Sequence, residues 1–335
     1  MRPRGEARAS PHLSAAPAVA RFLLRRCLLT LPVLFFVSLI VFTLIALVPG
    51  DPARIMLGEE ASPEALQALR REMGLDQPVV VRYLRWLEHI GRGDFGRSLR
   101  DRRPVLETLL QKLPVTLELA AASLLVAWAI AIPAGILAAW RQRTVVDYAA
   151  TTVALAGISI PNFWLGIMLI YLLAVNLRWL PPSGYVEPWV DLGRNLRLMV
   201  MPSIVLGTGL AALVMRVLRS SMLEVLGADY VRTARAKGLG ERLVVGRHAL
   251  RNALIPVVTI MGLQLGGLLG GAVITETIFA VPGIGRLVVE AILTRDYPMV
   301  QGAVLFVALG VVVTNLLVDL GYAWLDPRIR YEAGP

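Results

Sequence analysis

Residues 114–140 read PVTLELAAASLLVAWAIAIPAGILAAW, an apolar stretch in which Glu118 is the only charged residue. A helix needs about 20 mainly apolar residues to cross the hydrocarbon core of a bilayer, so this stretch is long enough to be a transmembrane helix. The chain contains five more such stretches, at residues 27–48, 149–175, 199–215, 252–275 and 301–324. The sequence therefore predicts an all-α integral membrane protein with six transmembrane helices.

The composition supports a bilayer environment. Hydrophobic residues make up 56% of the chain and charged residues 17%, whereas a soluble domain is about 45–50% apolar and about a quarter charged. The six stretches contain no Lys or Arg, and Asp319 is their only acidic residue besides Glu118. Because ionised groups are costly in hydrocarbon, this separation fits membrane spans. The net charge of +10 comes from arginines in the loops, which argues against a nucleic-acid-binding protein.

The charges of the loops predict the side of the membrane on which each end of the chain lies. Arginine is abundant and acidic residues are few in residues 1–26, 141–148 and 216–251, whereas residues 176–198 and 276–300 are poorer in basic residues. Cytoplasmic loops carry an excess of Lys and Arg, so the first three segments are predicted to be cytoplasmic. With six spans, both termini are then predicted to be cytoplasmic.

The two ends of the chain are predicted to lie outside the membrane domain. Residues 1–20 are rich in Ala, Pro, Ser and Arg and are predicted to form a disordered N-terminal extension. The following apolar run is too long for the core of a signal peptide, so residues 21–48 are predicted to be a retained first transmembrane helix. Residues 325–335 are predicted to be a cytoplasmic tail. Cys27 is the only cysteine, so no intrachain disulfide can form.

The segment between the first two spans, residues 49–113, is predicted to be external and helical. Ser62 and Pro63 provide an N-cap and a first helical residue, and Gly74 can end that helix. A second helix places five apolar residues on one face, Val79, Tyr83, Trp86, Leu87 and Ile90. The segment is interpreted either as a lid packed on the helix ends or as a docking surface that receives a substrate.

The loop after the fourth span reads DYVRTARAKGLGERLVVGRHALRNALIP over residues 229–256. Asp229 can cap a short helix from Tyr230 to Lys237, and Gly238 can end that helix in a left-handed conformation. A second amphipathic piece follows and leads into the fifth span. The residues alone leave two interpretations open, a docking element for another protein or a solvated basic loop held near anionic lipid headgroups.

This loop resembles the coupling loop, often called the EAA loop, of permeases in binding-protein-dependent bacterial ABC importers, in the TARAKGL form of the dipeptide and oligopeptide branch. Gly238 corresponds to the loop glycine, while Arg232, Thr233 and Ala234 stand where many other branches have Glu-Ala-Ala. Further segments similar to that family follow in one order from Arg21 onward. They include VSLIVFTLIALVPGDPA at 37–53, GDFGRSL at 93–99, GISIPNFWLG at 157–166, GAVITETIFAVPGIGRL at 271–287 and RDYP at 295–298.

The resemblance implies a permease subunit of the bacterial inner membrane with a type I importer fold. It would form half of a translocation path for dipeptides or oligopeptides that an external solute-binding protein delivers; nickel, glutathione and oligosaccharides stay open as cargo. A homologous second permease and two ATPase subunits or domains are the other implied partners. ATP and Mg²⁺ would bind to those ATPases, with no cofactor on this chain. In agreement, the only two lysines, Lys112 and Lys237, do not follow glycine, so the chain lacks a P-loop.

The resemblance also implies domain boundaries and roles for single residues. Residues 114–324 would be the ABC importer transmembrane domain, with the coupling loop at 216–251. The coupling helix would sit in a groove of the ATPase subunit and move with it as a rigid body. The residues implied in this contact are Asp229, Tyr230, Arg232, Thr233, Ala234, Arg235, Ala236, Lys237 and Gly238.

Candidates for the translocation path come from polar, aromatic and helix-breaking residues in or beside the spans. Pro161 interrupts the third span, and such a break either frees backbone carbonyls for a ligand or is a structural kink. Gly262, Gly266 and Gly270 lie four residues apart, which predicts close helix packing within the subunit or at a sliding seam with the partner permease. The path candidates are Asn162, Phe163, Trp164, Gln264 and Glu276.

Two other functional classes are disfavoured by the residues. A proton-coupled secondary transporter normally carries Asp, Glu or His in the middle of the membrane, but His12, His89 and His248 all lie in predicted loops. A membrane enzyme needs a catalytic cluster, and the sequence has no Ser-His-Asp, metal-ligand or paired-carboxylate spacing. A non-catalytic importer permease without a metal site is therefore the prediction.

Overall fold

A computed structural model describes residues 15–47, 51–58, 61–72 and 74–325, and every regular element in these ranges is helical. The first part contains α1 (Ala15–Leu47), α2 (Pro52–Leu57), α3 (Pro63–Glu72), α4 (Val79–Gly91) and α5 (Val105–Trp140). The central part contains α6 (Val145–Ser159), α7 (Asn162–Leu169) with a π-helical continuation (Ile170–Asn176), α8 (Leu192–Leu226) and α9 (Asp229–Ala236). The last part contains α10 (Glu241–Leu243), a π-helical stretch (Val244–Ala249), α11 (Leu250–Gly271), α12 (Val273–Ile278), α13 (Ile284–Leu293) and α14 (Tyr297–Leu325).

Five stretches of helix are long and apolar enough to cross a membrane. They lie in α1, in α5, in α8, in the rod from Glu241 to Gly270, and in α14. A further candidate consists of α6 and α7 with its continuation, which are bent by 98° at the break between them. Pro161 stands at this break, where its ring and missing N–H oppose a continuous helix. The predicted interruption is therefore confirmed, and counting the bent pair as one span gives six.

The core of the domain is the contact between α5 and α8. The apolar window of α8 is 67% buried inside the chain, whereas that of α1 is 17% buried. The two backbones approach closely at Gly207, where an added Cβ would lie 2.8 Å from the carbonyl oxygen of Ser123. Only a residue without a side chain allows this approach. Therefore α8 is the central helix of the domain, while α1 packs at the edge against α14.

The first helix begins earlier than predicted. Residues 15–20 belong to α1, whereas the sequence predicts disorder through residue 20. Alanine is the best helix former, and Pro17 falls in the first turn, where an N–H has no intrahelical partner to lose. Residues 1–14 and 326–335, which hold most of the predicted extension and tail, lie outside the described residues.

The long helices also extend past the apolar stretches. Helix α5 starts at Val105 rather than at 114, so the end of the predicted external segment belongs to it. Helix α8 covers Leu192–Leu226 rather than 199–215 and takes in the first part of the predicted coupling loop, 216–251. A hydropathy window detects only the apolar stretch that lies in the hydrocarbon core of the bilayer. The helix itself continues beyond that core, because arginine side chains on its ends reach water.

The segment between α1 and α5 has the predicted short helices. The Ser62 hydroxyl accepts a hydrogen bond from the Ala65 N–H at 3.2 Å, so Ser62 caps α3. Gly74 follows α3 with a φ of +63°, the left-handed conformation that glycine adopts without strain. The location of this segment and of both termini relative to the two sides of the membrane stays a prediction.

Candidate functional site

Helix α9 is fixed to the rest of the chain by one apolar face. Val231 and Ala234 are buried and cluster with Val244, the first residue of the π-helical stretch. They lie three residues apart, which places them on the same face of a helix. Ala234 was expected to contact the ATPase, but this position faces inward, because the larger Val231 decides which face of α9 is buried. Ala236 is exposed, as that contact would require.

The opposite face of α9 is exposed and basic. Arg232, Thr233 and Lys237 lie on it. Tyr230 is also partly exposed, but its hydroxyl accepts a 2.7 Å hydrogen bond from the Asn252 amide at the start of α11. Tyr230 therefore holds α9 against α11, a role that the sequence did not indicate.

The two ends of α9 differ in how well they were predicted. Ala228 rather than Asp229 is the N-cap residue, and Asp229 is the first helical residue. An acidic side chain in the first turn still complements the helix dipole, and Asp229 lies 3.4 Å from Arg232. Gly238 follows the helix with a φ of +80°, which confirms the left-handed end predicted for this glycine.

An ion pair ties α9 to α10. Arg235 donates two hydrogen bonds to the Glu241 carboxylate, from Nε at 3.1 Å and from Nη2 at 2.7 Å. These bonds raise the pKa of the Arg235 guanidinium above its usual range. Bidentate pairing fixes orientation as well as distance. This ion pair, the buried apolar face of α9 and the Tyr230 hydrogen bond hold α9 against the end of α8 and the start of the rod from Glu241 to Gly270. These three elements therefore form one rigid unit.

A buried ion pair joins α6 to α8 near that unit. Arg219 donates to both carboxylate oxygens of Asp147, from Nε at 2.6 Å and from Nη2 at 2.7 Å. The Asp147 side chain is 4% exposed and that of Arg219 28%. The backbone N–H of Arg143 also donates to Asp147, at 3.0 Å. The sequence indicated only loop charges here; the two partners are too far apart in the chain for a local pattern to reveal the pair.

The structure brings two of the predicted path residues to adjacent residues of α8. Asn162 is the first residue of α7, and its side-chain oxygen lies 3.6 Å from the point where a Cβ on Gly209 would stand. The Gln264 amide donates to the carbonyl oxygen of Leu210 at 3.1 Å. The amide oxygen of Gln264 is buried with no partner among the described residues. These contacts place both side chains beside the middle of α8, at the break in the bent span.

The other path candidates separate into exposed and buried residues. Phe163 and Trp164, which follow the break, are about half exposed. Glu276 is fully buried, so in this structure it does not line a path, contrary to its place among the path candidates. Its carboxylate accepts hydrogen bonds from the Thr116 hydroxyl and from the backbone N–H of Arg286, both at 2.9 Å.

Glu276 holds the start of α13 in place. The N–H of Ile284, the first residue of α13, donates to the Thr116 hydroxyl at 2.9 Å, and that hydroxyl donates to Glu276. Carboxylates at a helix N-terminus are favoured by free N–H groups and by the helix dipole. Gly283 leaves the space for the carboxylate, because a Cβ there would overlap the Glu276 oxygens. The segment VPGIGRL at 281–287 therefore packs closely around the buried Glu276 carboxylate.

We expect Gly283→Ala to destabilise the protein, because the new methyl group must displace Glu276 or the start of α13. Overpacking of a filled site typically costs about 1–3 kcal/mol. The thermal midpoint of the purified protein should fall. Gly91→Ala is the control, because no described atom lies within 4 Å of a Cβ at that position. Equal midpoints for the two variants would contradict this assignment.

The three glycines of α11 face α14. A Cβ on Gly262 would lie 2.5 Å from Val318, one on Gly266 3.3 Å from the Asn315 side-chain oxygen, and one on Gly270 3.7 Å from Val307. Glycines at this spacing allow two helix backbones to approach. The contacts support close packing within the subunit, the first of the two interpretations.

Two segments that lie far apart in the sequence, residues 93–99 and 295–298, meet at one carboxylate. Asp296 accepts a 2.5 Å hydrogen bond from the Ser98 hydroxyl and a 3.1 Å bond from the Leu99 N–H. The N–H of Met299 in the first turn of α14 also donates to Asp296, at 3.3 Å. The loop before α5 is therefore attached to the start of α14.

The sequence of this chain is similar to those of known transport proteins. The family described as binding-protein-dependent transport system inner membrane component matches residues 131–331, and its N-terminal counterpart matches residues 19–120. The chain is 43% identical over 330 residues to the dipeptide transport system permease protein DppB of Alkalihalophilus pseudofirmus, covering 92% of this chain and 99% of that protein.

Two further relatives are similarly close over nearly their whole length. The dipeptide transport system permease protein DppB of Escherichia coli K12 is 44% identical over 336 residues, covering 93% of this chain and 99% of that protein. The di/tripeptide transport system permease protein DppB of Pseudomonas aeruginosa is 43% identical over 332 residues, with the same coverage. The match over residues 131–331 and all three relatives include α9 and extend well beyond it, and the N-terminal match covers a separate part of the chain.

Proposed function

Because the chain belongs to the family of binding-protein-dependent transport system inner membrane components, we propose that it is the permease subunit of an ATP-driven importer of dipeptides or oligopeptides. It is a multi-pass protein of the inner membrane. The peptide cargo is supported by the names of its relatives, which are dipeptide and di/tripeptide permeases. The observation that carries the proposal is the rigidly held helix α9 with its exposed basic face.

In the proposed mechanism, α9 is the element that an ATPase subunit grips. Arg232, Thr233 and Lys237 offer the exposed contact surface, while the buried side of α9 transmits the movement to α8. The bidentate pair of Arg235 and Glu241 transmits the same movement to the rod that crosses the membrane as α11. Since both helices are packed elements, they respond by shifting as rigid bodies rather than by bending locally.

The path itself is proposed to open beside the middle of α8. Asn162 and Gln264 lie at Gly209 and Leu210, and the break between α6 and α7 lies next to them. A bent helix pair can reorient at its break when the neighbouring helix moves. Amide side chains without charge suit a path for peptides of varied sequence, because they hydrogen-bond to the peptide backbone and do not select on side-chain charge.

The proposed assembly has four kinds of component. A homologous second permease supplies the other half of the path, two ATPase subunits or domains bind ATP and Mg²⁺, and an external solute-binding protein delivers the cargo. Both termini of the permease and the loop 216–251 then lie in the cytoplasm. The binding protein, and not the permease, selects among peptides and the alternatives nickel, glutathione and oligosaccharide.

Reconstitution tests this function. The permease is placed in proteoliposomes with its second permease, its ATPases and its binding protein, and uptake of a labelled dipeptide is measured. We expect uptake with ATP, and no uptake with a non-hydrolysable ATP analogue. Uptake driven by a proton gradient without ATP would contradict the proposal. Binding of nickel, glutathione or an oligosaccharide in place of peptides by the binding protein would change the cargo only.

A further inference from the structure

Helix α4 packs on α1 partway along the transmembrane stretch. The Ser38 and Tyr83 hydroxyls are 2.9 Å apart and hydrogen-bonded. The Phe42 ring lies 5.4 Å from the Tyr83 ring and 5.7 Å from the Trp86 ring, measured between centroids. Phe42 of α1 and Tyr83 and Trp86 of α4 thus form one aromatic cluster, and the buried hydrogen bond between Ser38 and Tyr83 lies beside it.

The depth of this contact follows from the sequence of α1. No charged residue stands between Arg26 and Asp51, and Ser38 is near the middle of that interval. At about 1.5 Å per residue, Ser38 lies roughly 13 Å and Phe42 roughly 8 Å below Leu47, where α1 ends. The contact is therefore inside the apolar layer that α1 spans, so α4 reaches the depth of that layer.

Helix α4 has the surface pattern of a helix that lies in the membrane interface. At 100° per residue, Tyr83 and Trp86 face α1, and Val80 and Leu84 form the apolar flank beside them. Val80 is 68% exposed and Leu84 58% exposed. The remaining arc contains four polar residues, Arg82, Arg85, Glu88 and His89, and one apolar residue, Val81. Amphipathic helices with a basic polar face lie in the interface plane, with the apolar face buried about 5–10 Å deep.

The neighbouring surface of α1 identifies what covers this flank. Leu31, Phe35 and Leu39 of α1 are exposed large apolar residues, and in a membrane protein such a surface contacts lipid. Phe35 also contacts Tyr83, with ring centroids 6.4 Å apart. The apolar flank of α4 therefore continues the lipid-facing surface of α1.

We propose that α4 is an in-plane membrane helix whose Val80 and Leu84 contact lipid acyl chains. It occupies the leaflet at the C-terminal end of α1, which is the outer leaflet on the predicted topology. Arg82 and Arg85 reach up to the headgroup phosphates, since a long arginine side chain can extend to the interface while its helix lies deeper. On this proposal the apolar flank of α4 contacts lipid, and not a delivered substrate as in one interpretation of this segment.

Spin labels measure the depth of α4 in the assembled importer in lipid nanodiscs. In a Cys27→Ser background, a label is attached at Leu84→Cys, and the matched control is His89→Cys, which lies about 140° away around the helix on the polar arc and is exposed. Collisions with oxygen, which concentrates in lipid, are compared with collisions with a water-soluble nickel chelate. We expect oxygen to dominate at residue 84 and the nickel chelate to dominate at residue 89.

Each other outcome overturns the proposal. Nickel access at residue 84 equal to that at residue 89 would place α4 in water. Exclusion of both reagents at residue 84 would show that another protein covers this flank. Val80→Cys lies on the same flank and replaces Leu84→Cys if the latter variant fails to assemble, so the comparison remains decisive. ATP-driven uptake is measured separately, so a failure of the lipid contact is distinguishable from a failure of the proposed function.

Discussion

Gly238→Val is expected to abolish ATP-driven uptake while the assembled importer persists in the membrane. Gly238 has a φ of +80°, a conformation that costs a β-branched residue about 1–3 kcal/mol. No described atom lies within 4 Å of a Cβ at this position, so the strain comes from the backbone and not from a clash. The chain can relieve it by rearranging the end of α9, where Arg235 and Lys237 stand. Uptake in proteoliposomes and copurification of the ATPase measure the two parts of this prediction.

Gly240→Val is the matched control for this substitution. Gly240 lies two residues further along the same loop, and a Cβ there also has no described atom within 4 Å. Its φ of −62° and ψ of 141° are open to any residue. We expect this variant to transport. Normal uptake by Gly238→Val, or equal loss in both variants, would show that the left-handed turn is not what the coupling requires.

Asp147→Ala is expected to cause the largest loss of stability. It leaves the Arg219 guanidinium without its partner, and breaking a buried ion pair typically costs about 3–5 kcal/mol. We expect about 3 kcal/mol, the lower end of this range, because Arg219 is 28% exposed and keeps some water. The free energy of unfolding in a detergent titration of the purified permease measures it. Transport should fall as well, because the pair joins α6 to the end of α8.

The control for this prediction is an exposed pair. Glu290 pairs with Arg286 at 2.8 Å one turn apart, with both side chains at least a third exposed, and such a pair contributes about 0.3–0.5 kcal/mol. Glu290→Ala should therefore change stability little. Asp147→Ala combined with Arg219→Met should be more stable than Asp147→Ala alone, since no charge is left buried. Additive effects of the two substitutions would mean that the side chains are not coupled.

The sequence was sufficient for the features that depend on local pattern. A membrane sorts residues by polarity along the chain, so the apolar stretches located the spans. Pro161 marked the break, and Gly238 marked the end of α9, because each residue restricts or permits particular backbone angles. The glycines at 262, 266 and 270 indicated helix packing because their spacing places them on one face. The bend of 98° could not be predicted, since it depends on packing around α8.

The features that were missed depend on contacts between distant parts of the chain. Glu276 was a candidate for the translocation path, but its partner Thr116 lies 160 residues earlier, and nothing in the local sequence connects the two. Asp147 and Arg219 were counted as loop charges for the same reason. Ala234 was placed on the wrong face because the exposed side of a short helix is decided by what its larger neighbour, Val231, packs against.

The most direct test of the central claim is a cysteine crosslink from α9 to an ATPase subunit in cell membranes. In a Cys27→Ser background, Thr233→Cys presents a thiol on the exposed face, while Ala234→Cys places it on the buried face one residue away. We predict a permease–ATPase adduct with a thiol-to-amine crosslinker for Thr233→Cys and a much weaker one for Ala234→Cys. No adduct from residue 233, or its labelling in intact cells by a thiol reagent that cannot cross the membrane, would contradict the account.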